Sequence, residues 1–187
     1  MGAFTKGWYL VYTRPKNERK LCGFLAEHQL EHLLPTCKVL RQWSDRRKYI
    51  ETPLFPSYVF VHLCSMEQYY LVLNHETALY YVRNGHKTAV IGNTVIQHIR
   101  TIVQSGLPVN VSTAHFQPGE RIQVREGPFA GSVCEVVEYR NEMKVIVRLE
   151  LIGRCLLATF NGSLLQHYIP GTVPANIRNI TPNGKVA

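Results

Sequence analysis

Residues 54–63 read Leu54-Phe55-Pro56-Ser57-Tyr58-Val59-Phe60-Val61-His62-Leu63. The stretch is rich in aromatic and β-branched residues, which favours a β-strand. Side chains alternate between the two faces of a strand, so valines and a leucine are expected on one face, and Tyr58, Phe60 and His62 on the other. Both faces are therefore apolar. Either a short helix at 65–76 covers the aromatic face, or that face stays open to a partner.

The elements around this strand predict a layered domain over residues 1–108. Trp8-Tyr9-Leu10-Val11-Tyr12 indicates a first strand, and residues 38–43 indicate a second. Between them, an apolar stripe that includes Leu21 and Leu25 predicts a helix, which Pro35 prevents from continuing. A fourth strand is expected over 78–90, with a turn at Asn84-Gly85, and a last helix from Asn93 to Gly106. The order β-α-β-β-α-β-α predicts an α/β sandwich, with helices packed on an antiparallel sheet.

The pattern changes after Pro108. Residues 109–117 show no clear period and are predicted to form a linker. From 118 to 169 the apolar residues alternate with polar ones, as at 121–125 and 144–151, which predicts short strands closed into a small SH3-like all-β barrel. Gly127 and Gly131 are expected to shape a structural turn. Residues 170–187 hold few apolar groups and are predicted to be a flexible tail. The fold class is therefore α+β.

Charge and composition narrow the class of protein. Lys and Arg number 21 against 13 Asp and Glu, a net charge of +8, and the first 50 residues hold ten basic and four acidic side chains. This excess can form a basic face for a polyanion or an ordinary solvated surface. No apolar run reaches the ~18–20 residues of a membrane span, and no signal peptide precedes the first strand. A cytoplasmic protein is expected.

Metal and catalytic chemistry have weak support in the sequence. The five cysteines include no Cys-x-x-Cys pair, so neither a disulfide framework nor a zinc knuckle is expected. His28-Gln29-Leu30-Glu31-His32 matches the His-x-x-Glu-His motif of one class of zinc enzyme, in which His28 and His32 would share a helix face with Glu31 nearby. Such an enzyme needs a third ligand and a larger fold. The prediction is a protein without catalytic activity, metal or cofactor; a zinc hydrolase is the enzyme alternative.

Three segments together resemble the NusG family of transcription elongation factors. They are Trp8-Tyr9-Leu10-Val11-Tyr12, the strand at 54–61, and Gly127-Pro128-Phe129-Ala130-Gly131. The resemblance runs from about Trp8 to Tyr168. In that family an N-terminal NGN domain is joined by a linker to a C-terminal KOW barrel. The opening Trp-Tyr-Leu-x-Tyr and Pro53-Leu54-Phe55-Pro56 are similar to specialised members, RfaH and the UpxY antiterminators of capsular polysaccharide operons.

The resemblance implies partners and site residues. The NGN domain would bind the clamp helices of the RNA polymerase β′ subunit through Tyr12, Phe55, Tyr58 and Phe60. Basic residues would contact non-template DNA or nascent RNA: Arg14, Lys16, Arg19, Lys20, Arg46, Arg47 and Lys48. The barrel would bind ribosomal protein S10 or Rho through Ile152 and Arg154. A contact of the polymerase β subunit near residues 68–71 stays open, because the matching motif is not reproduced.

The implied function is that of a monomeric elongation or antitermination factor that suppresses pausing or premature termination, in a polysaccharide-type operon, without a membrane partner. The alternative is a KOW-type RNA-binding protein that acts on the ribosome. Partner capture separates the two. A transcription factor would hold polymerase through residues 1–108, whereas a ribosomal factor would depend on residues 118–168.

Overall fold

The computed structural model describes residues 4–42, 46–113, 119–124, 129–139, 142–159 and 165–167. The predicted turns at 127–128 and 140–141 and the predicted tail at 170–187 lie outside these ranges. Within the described ranges the chain forms a first unit of helices and strands, followed by a second unit built of strands and a single 3₁₀ turn. The expected mixture of helices with antiparallel sheets is confirmed.

The first unit is built on one antiparallel sheet. Its elements are β1 (Gly7–Thr13), α1 (Glu18–Glu27), β2 (His32–Leu33), β3 (Thr36–Gln42), β4 (Arg47–Pro53), β5 (Tyr58–Leu63), α2 (Met66–Leu73), β6 (Ala78–Tyr81), β7 (Arg83–Asn84), β8 (Lys87–Thr88), β9 (Val90–Ile91) and α3 (Asn93–Ser105). The strand order is β2-β5-β1-β6, and β9 also pairs with β1. Two hairpins, β3–β4 and β7–β8, form separate two-stranded sheets.

The central strand β1 has apolar residues on both faces because helices cover both. Trp8 and Leu10 belong to one buried cluster with three isoleucines of α3. Tyr9 and Val11 alternate to the other face and pack with apolar residues of α1 and α2. Burial of this kind contributes about 25 cal/mol for each Å² of apolar surface removed from water. The predicted packing of helices on an antiparallel sheet is therefore confirmed, and the helices cover both faces of the sheet rather than one.

The predicted last helix is confirmed, with boundaries set by glycine. Helix α3 starts after Gly92 and ends at Gly106, whose φ of +66° suits a residue without a side chain. Ile96, Ile99 and Ile102 recur at helical spacing and are buried. None of the helices among the described residues is long and apolar enough to cross a lipid bilayer. All five cysteines are free thiols.

The second unit is an antiparallel sheet with strand order β10-β14-β13-β12-β11-β15. Its elements are β10 (Val109–Ser112), β11 (Glu120–Val124), β12 (Val133–Tyr139), β13 (Glu142–Leu149), a 3₁₀ turn (Glu150–Ile152), β14 (Arg154–Thr159) and β15 (Leu165–His167). The linker predicted from residue 109 is wrong over its first four residues. These residues pair with β14, from Val109 opposite Ala158 to Ser112 opposite Cys155.

Two strand predictions and one turn prediction are also wrong in their limits. The strand at 54–63 begins only at Tyr58, and residues 54–57 form a turn. The cationic turn predicted at 44–48 gives way at Arg47 to β4, which pairs with β3 along its whole length. The alternation predicted to 151 stops at Leu149. Within it Lys144 is buried rather than exposed, since its Nζ donates to Thr159 Oγ1 at 3.0 Å.

The two units touch along α3. His98 on this helix lies 5.9 Å from the Phe129 ring, centroid to centroid, and its Nε2 is 4.0 Å from Cys134 Sγ. Phe129 is 1% exposed and belongs to the same apolar cluster as the buried residues of α3. Helix α3 therefore has one side on the first sheet and another against the second unit.

Candidate functional site

Three tyrosines stand side by side on adjacent strands of the first sheet. Tyr12 of β1 lies opposite Tyr58 of β5 on one side and opposite Tyr80 of β6 on the other. The Tyr12 and Tyr58 rings meet edge to face at 5.2 Å, and those of Tyr12 and Tyr80 stack at 5.0 Å. Tyr80 is 51% exposed, while the other two are half-buried. We call Tyr12, Tyr58 and Tyr80 the tyrosine cluster.

Phe55 and Phe60 lie behind this cluster and are fully buried. Their rings meet edge to face at 6.1 Å, in the same apolar cluster as the isoleucines of α3. The expectation of an open aromatic surface is therefore wrong for these two residues, because α3 covers that face. The alternative cover, a helix at 65–76, is also wrong, since Val72 of α2 packs on the opposite face.

A buried carboxylate shapes the turn that places Tyr58. Ser57 has φ of +67° and donates its backbone N–H to Glu18 Oε1 at 2.6 Å. Its carbonyl accepts from the Thr13 N–H at 2.8 Å, which ties the turn to the end of β1. Glu18 is 6% exposed, so the desolvation of its carboxylate is offset in part by this charge-assisted hydrogen bond. The result is that Tyr58 enters β5 directly beside Tyr12.

The environment of Tyr58 joins two predicted sites. Burial raises the pKa of Tyr58 above its ordinary value, the nearby Tyr80 acts in the same direction, and the positive charge of Arg154 opposes both. Arg154 begins β14, just after Gly153 with φ of +58°. The structure thus brings Arg154, predicted to bind a partner of the second unit, close to the tyrosine cluster. Ile152, in the 3₁₀ turn, packs against the apolar cluster that Tyr58 also touches.

The predicted nucleic-acid residues fall into two groups. Arg19 pairs with Glu51 of β4 at 3.4 Å, and Lys20 pairs with Glu76. Arg14 and Lys16 are exposed, as are Arg46, Arg47 and Lys48 at the end of the β3–β4 hairpin. Exposed ion pairs contribute little to stability, so Arg19 and Lys20 can exchange their carboxylates for phosphates at small cost.

The glycine turn of the second unit is described in part. Gly131 has φ of +80°, in the left-handed region that favours glycine, as predicted, and its N–H donates to the Val124 carbonyl at 2.9 Å. Gly127 lies outside the described residues. The turn directs Phe129 into the contact with α3.

The zinc motif lacks the helix that it requires. Helix α1 ends at Glu27, and Gln29 has φ of +55°, so His28 and His32 do not share a helix face. Each imidazole Nδ1 lies 2.9 Å from a backbone carbonyl, that of Phe24 or of Leu30. Among the described residues no three His, Cys, Asp or Glu side chains are placed to hold a metal ion.

Sequence reasoning missed Tyr80. The prediction for residues 78–90, a strand with a turn at Asn84-Gly85, included no functional residue. The turn is confirmed, since Gly85 has φ of +60° between the paired strands β7 and β8. Tyr80 and Tyr81 are adjacent aromatics, of which one must face away from the core. That alternation was the available signal. Tyr81 is buried at 2% exposure and Tyr80 is not.

Fold and site together define a two-unit α+β protein with a half-exposed tyrosine cluster and cations on the neighbouring surface. The model of the NusG family, described as Transcription termination factor nusG, matches residues 6–100, just over half of the 187 residues. The chain belongs to the NusG family, whose members are transcription factors.

Several curated relatives are named Transcription termination/antitermination protein NusG. That of Pasteurella multocida is 29% identical over 158 residues, covering 77% of this chain and 86% of its own length. That of Staphylococcus aureus strain Mu50 is 28% identical over 162 residues, covering 80% and 88%. A solved structure described as "Domain interaction in Thermotoga maritima NusG" aligns over 88% of this chain and 98% of its own, at 23% identity and a TM-score of 0.48.

Proposed function

We propose that this protein is a transcription elongation and antitermination factor that binds the RNA polymerase β′ clamp helices through the tyrosine cluster. The carrying observation is that Tyr12, Tyr58 and Tyr80 align across three strands, in a chain that belongs to the NusG family. In this proposal Phe55 and Phe60 support the tyrosine cluster, because they belong to the buried apolar cluster against which Tyr58 packs. The NGN and KOW names are proposed for the first and second units.

The physical character of the cluster supports a protein partner. Tyrosine offers a large, rigid apolar face together with a hydroxyl that can stay hydrated or hydrogen-bonded, and it is enriched among the residues that dominate binding energy. Tyr12 is held edge to face against Tyr58 and stacked on Tyr80, so it loses little further side-chain freedom on binding. A helix pair laid across the strands would cover the exposed edge of Tyr80.

Binding alone is sufficient for the proposed activity. A factor that prefers the closed, elongating clamp shifts the population of polymerase toward that state in proportion to the difference in affinity. Pausing and premature termination then fall without any catalytic step. Service of a polysaccharide-type operon is proposed from the resemblance to RfaH and UpxY proteins at residues 8–12 and 53–56.

Cations on the first unit are proposed to contact the non-template DNA strand or the nascent RNA. Arg14 and Lys16 lie exposed just after the strand that carries Tyr12, and the hairpin adds Arg46, Arg47 and Lys48. Each phosphate contact releases condensed counterions, which gives affinity and a dependence on salt.

A further partner, ribosomal protein S10 or Rho, is proposed at Ile152 and Arg154. Because Ile152 and Tyr58 pack against the same apolar cluster, this site and the tyrosine cluster are neighbours in the present arrangement. Polymerase and the second partner would therefore bind together only after the two units move apart.

The test measures binding of purified RNA polymerase to the full chain. Combined Tyr58→Ala and Tyr80→Ala should weaken binding at least tenfold, since interface anchors commonly cost about 2 kcal/mol each. Tyr49→Ala is the matched control, because Tyr49 is 66% exposed on the β3–β4 hairpin, away from the cluster. Unchanged polymerase affinity in a folded double variant, with ribosome capture through the second unit, would instead favour the ribosomal alternative.

A further inference from the structure

The β3–β4 hairpin has two unlike faces. Residues opposite each other in an antiparallel pair share a face, and so do residues two apart along a strand. One face holds the pairs Lys38–Glu51, Leu40–Tyr49 and Gln42–Arg47, and the other holds Cys37–Thr52, Val39–Ile50 and Arg41–Lys48. We call the first of these the outer face.

Burial shows which face meets the body of the protein. Cys37, Ile50 and Thr52 are half-buried, and Cys37 packs against the main apolar cluster. All six residues of the outer face are exposed. At its centre Tyr49 is 66% exposed and Leu40, directly opposite, is 49% exposed. An apolar cross-strand pair thus stands in solvent on a hairpin that forms its own sheet.

Positive charge flanks this apolar pair. Lys38 and Arg47 lie on the same face, each two residues from a member of the pair, which places them roughly 7 Å to either side. The carboxylate of Glu51 is paired with Arg19 of α1 at 3.4 Å, so its charge is balanced from another element. Lys48 precedes Tyr49 in the chain and is also exposed. It lies on the opposite face of the hairpin and adds further positive charge nearby. The local field therefore favours an anion along the hairpin.

We propose that the outer face binds a single strand of DNA, with one unpaired base stacked on the Tyr49 ring against Leu40 and with Lys38 and Arg47 on the flanking phosphates. Aromatic side chains in a cationic track are the common means of holding unpaired strands, because every base has a π-face. In a duplex those faces are covered by neighbouring bases, and only the phosphates remain available. This inference rests on the proposed function, in which the hairpin cations contact non-template DNA or nascent RNA, and it adds base stacking on a DNA strand to that contact.

The test is fluorescence anisotropy of the full chain with a labelled oligothymidine of about a dozen nucleotides, a length within the range that one such surface covers. Tyr49→Ala should weaken binding about tenfold, and Tyr49→Phe should retain it, because the stacking ring is kept. Tyr70→Ala is the matched loss of another exposed tyrosine and should leave binding unchanged. A duplex of the same length should bind more weakly than the single strand and should respond little to Tyr49→Ala.

Three results would overturn the inference. The first is that Tyr49→Ala binds the single DNA strand as tightly as the unaltered chain does. The second is that this variant loses duplex binding as strongly as it loses single-strand binding. The third is that the unaltered chain binds the matching RNA strand at least tenfold more tightly than the DNA strand. Polymerase binding is measured on the same proteins. If Tyr49→Ala loses DNA but keeps polymerase, the stacking surface is supported separately from the tyrosine cluster. If the unaltered chain binds polymerase but no single strand, the inference fails while the proposed function stands.

Discussion

At the scale of the residue, depth of burial separates side chains that the strand pattern places together. Tyr58 and Phe60 share one face of β5, yet Tyr58 is half-buried beside its neighbours and Phe60 is fully buried under α3. Alternation predicts the face correctly but contains no information about how far a helix from residues 93–105 extends over it. The aromatic residues were therefore found from the sequence, whereas their division into contact and core residues was not.

Phe60→Ala should lower the free energy of unfolding by about 3–5 kcal/mol, because it removes a fully buried ring and leaves a cavity that the sheet cannot close. Urea denaturation followed by circular dichroism measures this change. Tyr80→Ala, two strands away and half exposed, should stay within about 0.5 kcal/mol. If both variants lost a similar amount of unfolding free energy, Phe60 would not be buried beneath α3 as described.

At the scale of the element, local patterns predicted the helices and the central strand, and long-range contacts decided what they missed. The turn at 54–57 depends on Glu18, which lies 39 positions away from Ser57 in the chain. Strand β4 was missed because its cations suggested a solvated turn, although its backbone pairs with β3 along its whole length. Such pairings arise from the tertiary fold, which propensity does not encode.

The first prediction at this scale concerns the start of α2. Ser65 precedes the helix, and its Oγ accepts from the Gln68 N–H at 3.3 Å. Ser65→Ala should cost about 1 kcal/mol of stability, because a helix N–H loses its partner. Thermal melts of the variant check this value. Ser65→Asp is the control and should keep the stability of the unaltered chain, because aspartate also caps a helix. Equal melting temperatures for the unaltered chain and both variants would mean that water fully replaces the serine hydroxyl.

The second prediction concerns the hairpin cations. Arg47→Gln with Lys48→Gln should make DNA or RNA binding less sensitive to salt, with the slope of log K against log salt reduced by about 1–2. A titration of binding across salt concentrations gives this slope. Lys87→Gln, which removes an exposed cation from the β7–β8 hairpin, is the control. If the unaltered chain and all variants gave the same slope, the β3–β4 hairpin would not be part of the nucleic-acid-binding surface.

At the scale of the whole molecule, the sequence predicted two units in the correct order but not their contact. The contact lies between α3 and residues 129–134, and it depends on the placement of Phe129 by a turn that local pattern indicates only as a hairpin. Burial lowers the pKa of His98 at this contact and raises that of Cys134 to about 11. The thiol therefore stays protonated at neutral pH, while the imidazole is held in its neutral form.

The pH dependence of this contact follows from the direction of the His98 shift. A lowered pKa means that the separated units bind more protons, so the contact is fully stable above the ordinary histidine value of 6.5 and weakens as pH falls below it. Small-angle X-ray scattering should give a larger radius of gyration at about pH 5.5 than at about pH 7.5. His98→Gln should abolish the difference, and a change that persists in this variant would place the titrating group elsewhere.

Strand β10 has a practical consequence for hybrid proteins. Because residues 109–112 already belong to the second sheet, only Gly106, Leu107 and Pro108 separate it from α3. A graft that exchanges the second half between relatives at residue 113 would pair the β10 of one relative with the β14 of the other in both products. Junctions at 106–108 transfer the sheet intact.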